Sequence, residues 1–93
     1  MENPEFEWDD EKAGSNLNKH DISFEEGATI FNDPMIVTIP DPDHSKNEDR
    51  YVSIGISVQG RVLVVVHTER AERIRLISCR KATSAERKSY ETN

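Results

Sequence analysis

The sequence predicts an α+β domain with the element order β-α-α-β-β-β-β-α, an antiparallel meander sheet packed by helices. Two observations carry this. Four runs rich in Val and Ile lie between residues 35 and 80, separated by turn-forming stretches, and helix start signals flank that block on both sides. Length sets the domain count: 93 residues hold one modest core and cannot divide it, so residues 1–93 are read as a single domain.

The elements follow in order. "FEW" at 6–8 puts Phe6 and Trp8 on one face of an extended segment. "DDEKAGSNLNKH" begins with acids and ends with Lys19 and His20, the polarity that a helix dipole favours, with Asp9 placed as N-cap. Ser23 and Glu26 have capping-box spacing, and Phe24, Ala28 and Phe31 share one face, so "SFEEGATIF" is a second helix ended by "NDP". "MIVTIP" is a short strand, followed by the polar loop "DPDHSKNED". "RYVSIGISVQG" alternates, with Val52, Ile54, Ile56 and Val58 on one face. The turn at Gln59-Gly60 leads into "RVLVVVHTE", whose consecutive apolar positions fit a central strand, and "RIRLISCR" pairs back onto it through a tight connection. Thr83 and Glu86 repeat the capping-box spacing and start a last helix.

Charge is divided along the chain. The total is −6, but residues 1–60 hold four bases against fourteen acids, a net −10, whereas residues 61–93 hold eight bases against four acids, a net +4. "VVVHTERAERIRLISCR" at 64–80 places Arg70, Arg73, Arg75 and Arg80 in what otherwise reads as hydrophobic strand, so a negatively charged partner is expected there. The single cysteine, Cys79, excludes an intrachain disulfide and a multi-cysteine zinc site, and a reducing, cytoplasmic setting is expected. No apolar run is long enough to cross a membrane, and the acidic start lacks the features of a secretory signal. Neither a metal nor another cofactor is expected, because His20, His44, His67 and Cys79 come from distant segments without ligand spacing.

Six motif blocks add a further layer. "FEWDxxKAxxNxxKH", "SFEEAxxxFxDP", "DxxHS", "R(Y/F)xxIG", "VVxTER" and "IRxISxRxAxxxERxxYE" occur as Phe6 to His20, Ser23 to Pro34, Asp41 to Ser45, Arg50 to Gly55, Val65 to Arg70 and Ile74 to Glu91. In this order, covering nearly the whole chain, they resemble the BrnT family of toxins. The resemblance implies a compact RelE-like fold and a bacterial ribonuclease of a type II toxin–antitoxin pair, which inhibits translation. It also implies neutralisation by a BrnA-like ribbon-helix-helix antitoxin, a heterotetramer of two toxins and two antitoxins, and operator DNA bound only through the antitoxin in autoregulation. Three positions depart from the family pattern: Asp21 and Gly27 where glycine and alanine are usual, and Cys79 where alanine is more often found.

RNA cleavage without a metal needs a group to take the 2′-hydroxyl proton, cations around the phosphate, and a donor to the departing 5′-oxygen. Arg80 leads as the phosphate group, because its forked guanidinium ends a hydrophobic strand just before Lys81; the structural alternative is an ion pair with an acid from the first sixty residues. Arg75, between Ile74 and Leu76, is a second catalytic candidate, while Arg70, Arg73, Lys81 and Arg87 are candidates for binding RNA. His67 is a candidate acid or base, against the alternative of a satisfied core histidine, and Glu69 is a candidate base ranked behind it, for which a surface ion pair with Arg73 is the simpler account. An even hairpin loop is expected to set Arg75 opposite Val66 and His67 opposite Ile74, an odd one to make His67 and Arg75 neighbours. Tyr90, with Arg87 one helical turn before it, could present a hydroxyl and a cation together or pack against the sheet; the family resemblance favours the first. His20 is expected to complement the helix dipole and His44 to be solvated. The acidic residues 1–60 are expected to face the antitoxin, with direct cover of the active surface as the alternative. A non-enzymatic co-repressor subunit is the rival reading, and an acidic nucleic-acid mimic a third, which leaves the basic segment without a purpose.

Overall fold

The structure is a computed structural model that describes residues 5–41 and 49–92; the expected solvation of His44 lies outside them. The elements are β1 (Glu5–Glu7), α1 (Asp10–His20), α2 (Phe24–Ala28) continued by a 3₁₀ turn (Thr29–Asn32), β2 (Val37–Pro40), β3 (Arg50–Ile56), β4 (Val62–Arg70), β5 (Arg73–Lys81) and α3 (Ser84–Glu91). They form one five-stranded sheet in the order β1-β5-β4-β3-β2. β2 to β5 make the antiparallel meander, and β1 joins the far edge parallel to β5, Phe6 opposite Ile74.

α1 and α2 cover one face of the sheet. Ile22, Phe24 and Ile30 meet Leu63, Val65, Leu76 and Cys79 in the core, and Phe6, Trp8 and Phe31 pack around it. Alternation along β3 runs opposite to its apolar pattern: Ser53 is fully buried under the helices, whereas Ile56 is exposed and Val52 and Ile54 are half-buried on the other face. Val58 lies outside the strand, in the turn.

The caps are those expected, with one difference. Asp9 accepts from Glu11 N at 2.8 Å and Lys12 N at 3.2 Å, and Thr83 and Glu86 form the full reciprocal box of α3. At α2 only half of the box forms. Ser23 accepts from Glu26 N, but the Glu26 carboxylate is turned to the Ser57 hydroxyl and to both Nε and Nη2 of Arg61. These contacts, Arg61 first, hold the Glu26 carboxyl below the ordinary range against the opposing effect of burial.

Asn16, in the middle of α1, ties that helix to the free edge of β5. Its side-chain NH₂ donates to Cys79 O at 2.9 Å and its carbonyl accepts from Cys79 N at 3.0 Å, so one amide replaces a neighbouring strand. Burial pushes the Cys79 thiol up to about 12, which leaves it a packing group.

The three departures from the family pattern have structural counterparts. Asp21 ends α1 with φ 60, the left-handed region that glycine enters without cost. Asp21→Gly is therefore expected to stabilise the fold by about 0.5–1 kcal/mol, read as a higher urea midpoint. A Cβ on Gly27 would meet Cys79 Sγ at 3.0 Å and Cys79 Cβ at 3.3 Å, so the small residue at 27 makes room for the larger one at 79. Gly27→Ala alone is expected to lose stability relative to Gly27→Ala with Cys79→Ala. A coupling energy of about 1 kcal/mol is expected in a double-mutant cycle, and additivity would refute the steric account.

Candidate functional site

The strand register sorts the candidate residues between the two faces of the sheet. The Ala71–Glu72 turn, with Ala71 at φ 53, pairs Arg70 with Arg73, which sets Arg75 opposite Thr68 and His67 opposite Leu76. Neither expected register occurs, and alternation sends His67 and Arg75 to opposite faces. A bulge follows, because Val66 pairs with Ser78 and His67 with Leu76, skipping Ile77.

His67 points under the helices and is 1% exposed. Its Nε2 lies 2.7 Å from Ser53 Oγ, which in turn lies 2.7 Å from Thr38 Oγ1. Phe31 meets the ring edge-on and Tyr51 stacks beside it, while Nδ1 is buried without a hydrogen-bond partner among the described residues. Burial lowers its pKa to about 4, so the ring is neutral at physiological pH. This environment is that of a core histidine, separated by the sheet from the arginines.

The opposite face carries the cations. Arg50, Thr68 and Arg75 form one row across β3, β4 and β5, and Arg80 lies beside Val64 further along. Thr68 Oγ1 is buried in that row without a partner among the described residues. Arg80 binds both oxygens of Glu86, at 2.7 and 2.9 Å, so its acid comes from α3 and not from the first sixty residues. The Arg80 guanidinium, helped by the Thr83 backbone N–H, holds Glu86 down at about 2. Glu86 thus caps α3 and aims Arg80 at the strand-to-helix junction.

Lys81 and Arg87 meet at that junction. With Arg61, Ile56, Val62 and Glu91 they line a cleft of about 430 Å³ between α3 and the β3–β4 turn. The remaining candidates lie elsewhere. Tyr90 donates its hydroxyl to Asp33 Oδ2, which also accepts from Ile56 N at 2.8 Å. That contact raises the phenol to about 12. At Asp33, burial acts upward, but the hydrogen bonds from Tyr90, Ile56 and Met35 prevail and the carboxyl is lowered. Tyr90 therefore anchors α3 to the end of the 3₁₀ turn.

At the other end of β5, Arg73 contacts Glu5 at 3.2 Å and Glu7 at 3.5 Å, and Arg75 contacts Glu7 at 3.0 Å. Arg73 is thereby engaged by β1 acids, and Glu69, on β4, faces Ile74. Arg75 and Arg80 are five strand residues apart, about 16 Å. Along the chain the cations divide into Arg70, Arg73 and Arg75 at the hairpin end and Arg80, Lys81 and Arg87 about the junction, where Arg80 and Lys81 project to opposite faces of β5. Sequence reasoning passed over the roles of Asn16, Asp33 and the second task of Glu86, although Asn16 and Asp33 are fixed positions of the motif blocks and Glu86 holds a capping-box position.

Among the described residues no group of three or more His, Cys, Asp or Glu is arranged to hold a metal ion, and no helix is long and apolar enough to cross a membrane.

Comparison with known proteins supplies the context. No curated protein sequence matches the chain. The crystal structure of the Brucella abortus ribonuclease toxin BrnT shares the fold, with a TM-score of 0.64 at 20% identity, over 88% of this chain and 100% of that one. Residues 8–86 match the family model described as the ribonuclease toxin BrnT of a type II toxin–antitoxin system, and the chain belongs to that family.

Proposed function

We propose that this chain cleaves RNA without a metal ion, holding the scissile phosphate at the junction of β5 and α3. The observation that carries the reading is the open cleft there, lined by Arg61, Lys81 and Arg87, with Arg80 held by Glu86 on the neighbouring turn of α3. The 2′-hydroxyl loses its proton to water as its oxygen attacks phosphorus, and the P–O5′ bond breaks with the 5′-oxygen taking up a proton from water, leaving a 2′,3′-cyclic phosphate and a 5′-hydroxyl. Fixed guanidinium and ammonium groups stabilise the charge that grows on the phosphate oxygens. Arg70, Arg73 and Arg75 hold phosphates further along the strand. The Arg73–Glu5 pair does not prevent this, since an exposed pair contributes only about 0–1 kcal/mol, and at the half-buried Arg75–Glu7 pair a phosphate replaces the carboxylate with similar geometry. His67 maintains the core in this scheme, and Tyr90 positions α3.

The partner is a BrnA-like ribbon-helix-helix antitoxin in a two-plus-two assembly that binds operator DNA through the antitoxin alone. Cleavage of messenger RNA accounts for inhibited translation. Met35, Ile39 and Val58, all more than half exposed within the acidic first sixty residues, support a seat for the antitoxin there. Chemical-shift mapping of the complex is expected to find it on residues 5–60; an interface confined to residues 61–92 contradicts this.

One observation favours the co-repressor reading: Arg73, Arg75 and Arg80 already have acidic partners within the chain. RNA incubated with the pure protein in excess chelator decides. Products with 2′,3′-cyclic phosphate and 5′-hydroxyl ends are expected. Cleavage that requires an added divalent ion contradicts the metal-free chemistry, and absence of cleavage under both conditions favours the co-repressor.

A further inference from the structure

The junction does not use the basic face of α1. Lys12, Ser15, Asn16 and Lys19 recur at helical spacing, so they share one side of the helix, with His20 beside them. That side faces the edge of β5, and between them lies a groove of about 180 Å³ walled by Lys12, Ser15, Lys19 and His20 on α1 and by Ile77 and Ser78 on β5. The groove is larger than several water molecules and has room for a phosphate group.

Its construction follows from two features of the sheet. β1 pairs with β5 only through Arg73–Arg75, so the edge beyond is left to α1. The bulge at Ile77 then turns that short stretch of backbone out of the regular ladder, beside Ser78. Asn16 forms the floor, its amide already used by Cys79 and Ile22. The groups left to meet a ligand are two ammonium groups, an imidazole and two hydroxyls, a set that fits an oxyanion. Asp10 and Glu11 share the first turn of α1 with Lys12 and Asp9 is occupied as cap, and no acid lines the groove. In a chain of net charge −6, this concentration of cations within the acidic half is local.

We propose that the groove between α1 and the β5 edge is a second phosphate site, which takes a backbone phosphate of RNA next to the one held at Arg80. The inference rests on the reading of the β5–α3 junction as the cleavage site. Ser78 and Arg80 are two residues apart on β5, about 7 Å, so one RNA strand passing over the β5 edge reaches both. Lys12 and Lys19 then contribute to binding and register without touching the reacting atoms.

Two measurements test it on the full chain. In the first, inorganic phosphate is titrated against the ¹⁵N-labelled protein. Saturable amide shifts are expected at Ser15, Lys19, Ile77 and Ser78, and their loss in Lys12→Ala/Lys19→Ala. In the second, a 2′-O-methyl RNA, which cannot be cleaved, is bound by each protein across a salt series. The double variant is expected to bind about tenfold more weakly and to lower the salt slope by about 1, whereas Lys88→Ala, outside both sites, binds as the parent does. Unchanged RNA affinity and slope in the double variant overturn the groove, and if Arg80→Ala still weakens binding the junction reading survives. Phosphate shifts in a parent protein that binds no RNA overturn the RNA assignment together with the ribonuclease reading.

Discussion

RNA cleavage by Arg80→Ala is expected to fall by about 100-fold or more, the usual cost of removing a preorganised charged donor from a developing oxyanion. Loss of the fold does not account for this. The Arg80–Glu86 pair is partly exposed, and Glu86 keeps its hydrogen bond from Thr83 N and so continues to cap α3. Arg80→Lys is expected to fall between the two, because an ammonium keeps the charge and loses the two-pronged grip. The check is the initial rate on a labelled RNA at matched folded concentration, verified by circular dichroism. A rate equal to that of the parent removes Arg80 from the chemistry.

The second large effect is on stability and comes from His67. Its folded pKa is about 4, below the ordinary 6.5, because burial disfavours the charged ring. The unfolded chain therefore takes up a proton in a range where the folded chain does not. Stability is complete above about pH 6.5 and falls as pH drops towards 4, by on the order of 3 kcal/mol. The contacts explain the direction: among the described residues Nδ1 has no acceptor to meet a second N–H, and Phe31 and Tyr51 pack against the ring. Urea midpoints at pH 7.5 and pH 4.5 measure the loss, and His67→Gln is expected to flatten the dependence. Glu86 acts in a lower window, its contribution being lost only as pH falls from about 4.5 towards 2.

The element order was legible because strands and helices differ in apolar period and because helix starts have specific cap residues. Asp9, Ser23 and Thr83 all cap as their spacing implied. What failed was the step from pattern to face. In β3 the half-buried Val52 and Ile54 face away from the helices, while Ser53 lies under them, its hydroxyl bonded to Thr38 and His67. No local pattern reports such a choice.

The site was partly legible for the same reason. The clustering of arginines was plain, but their sorting into two groups depends on a two-residue turn and one skipped residue, Ile77. A one-residue change of register exchanges faces, so the sequence left open whether His67 and Arg75 are neighbours, and the two-residue turn puts them on opposite faces. Glu26 shows the complementary limit: its capping position was recognised, yet Arg61, 35 positions away in the chain, claims its carboxylate. The substitutions Gly27 and Cys79 make sense only as a pair, since the missing Cβ of one accommodates the sulfur of the other.

The central claim is that the chemistry belongs to the arginine-bearing face of the sheet and the β5–α3 junction, not to the helix-covered face that holds His67. Single-turnover cleavage of one RNA at saturating protein, in excess chelator, compares Arg80→Ala with His67→Gln at pH 7.5. The expected result is a rate reduced by about 100-fold for Arg80→Ala and near that of the parent for folded His67→Gln. The reverse order, with His67→Gln inactive and Arg80→Ala unimpaired, contradicts the claim and moves the chemistry to the buried face.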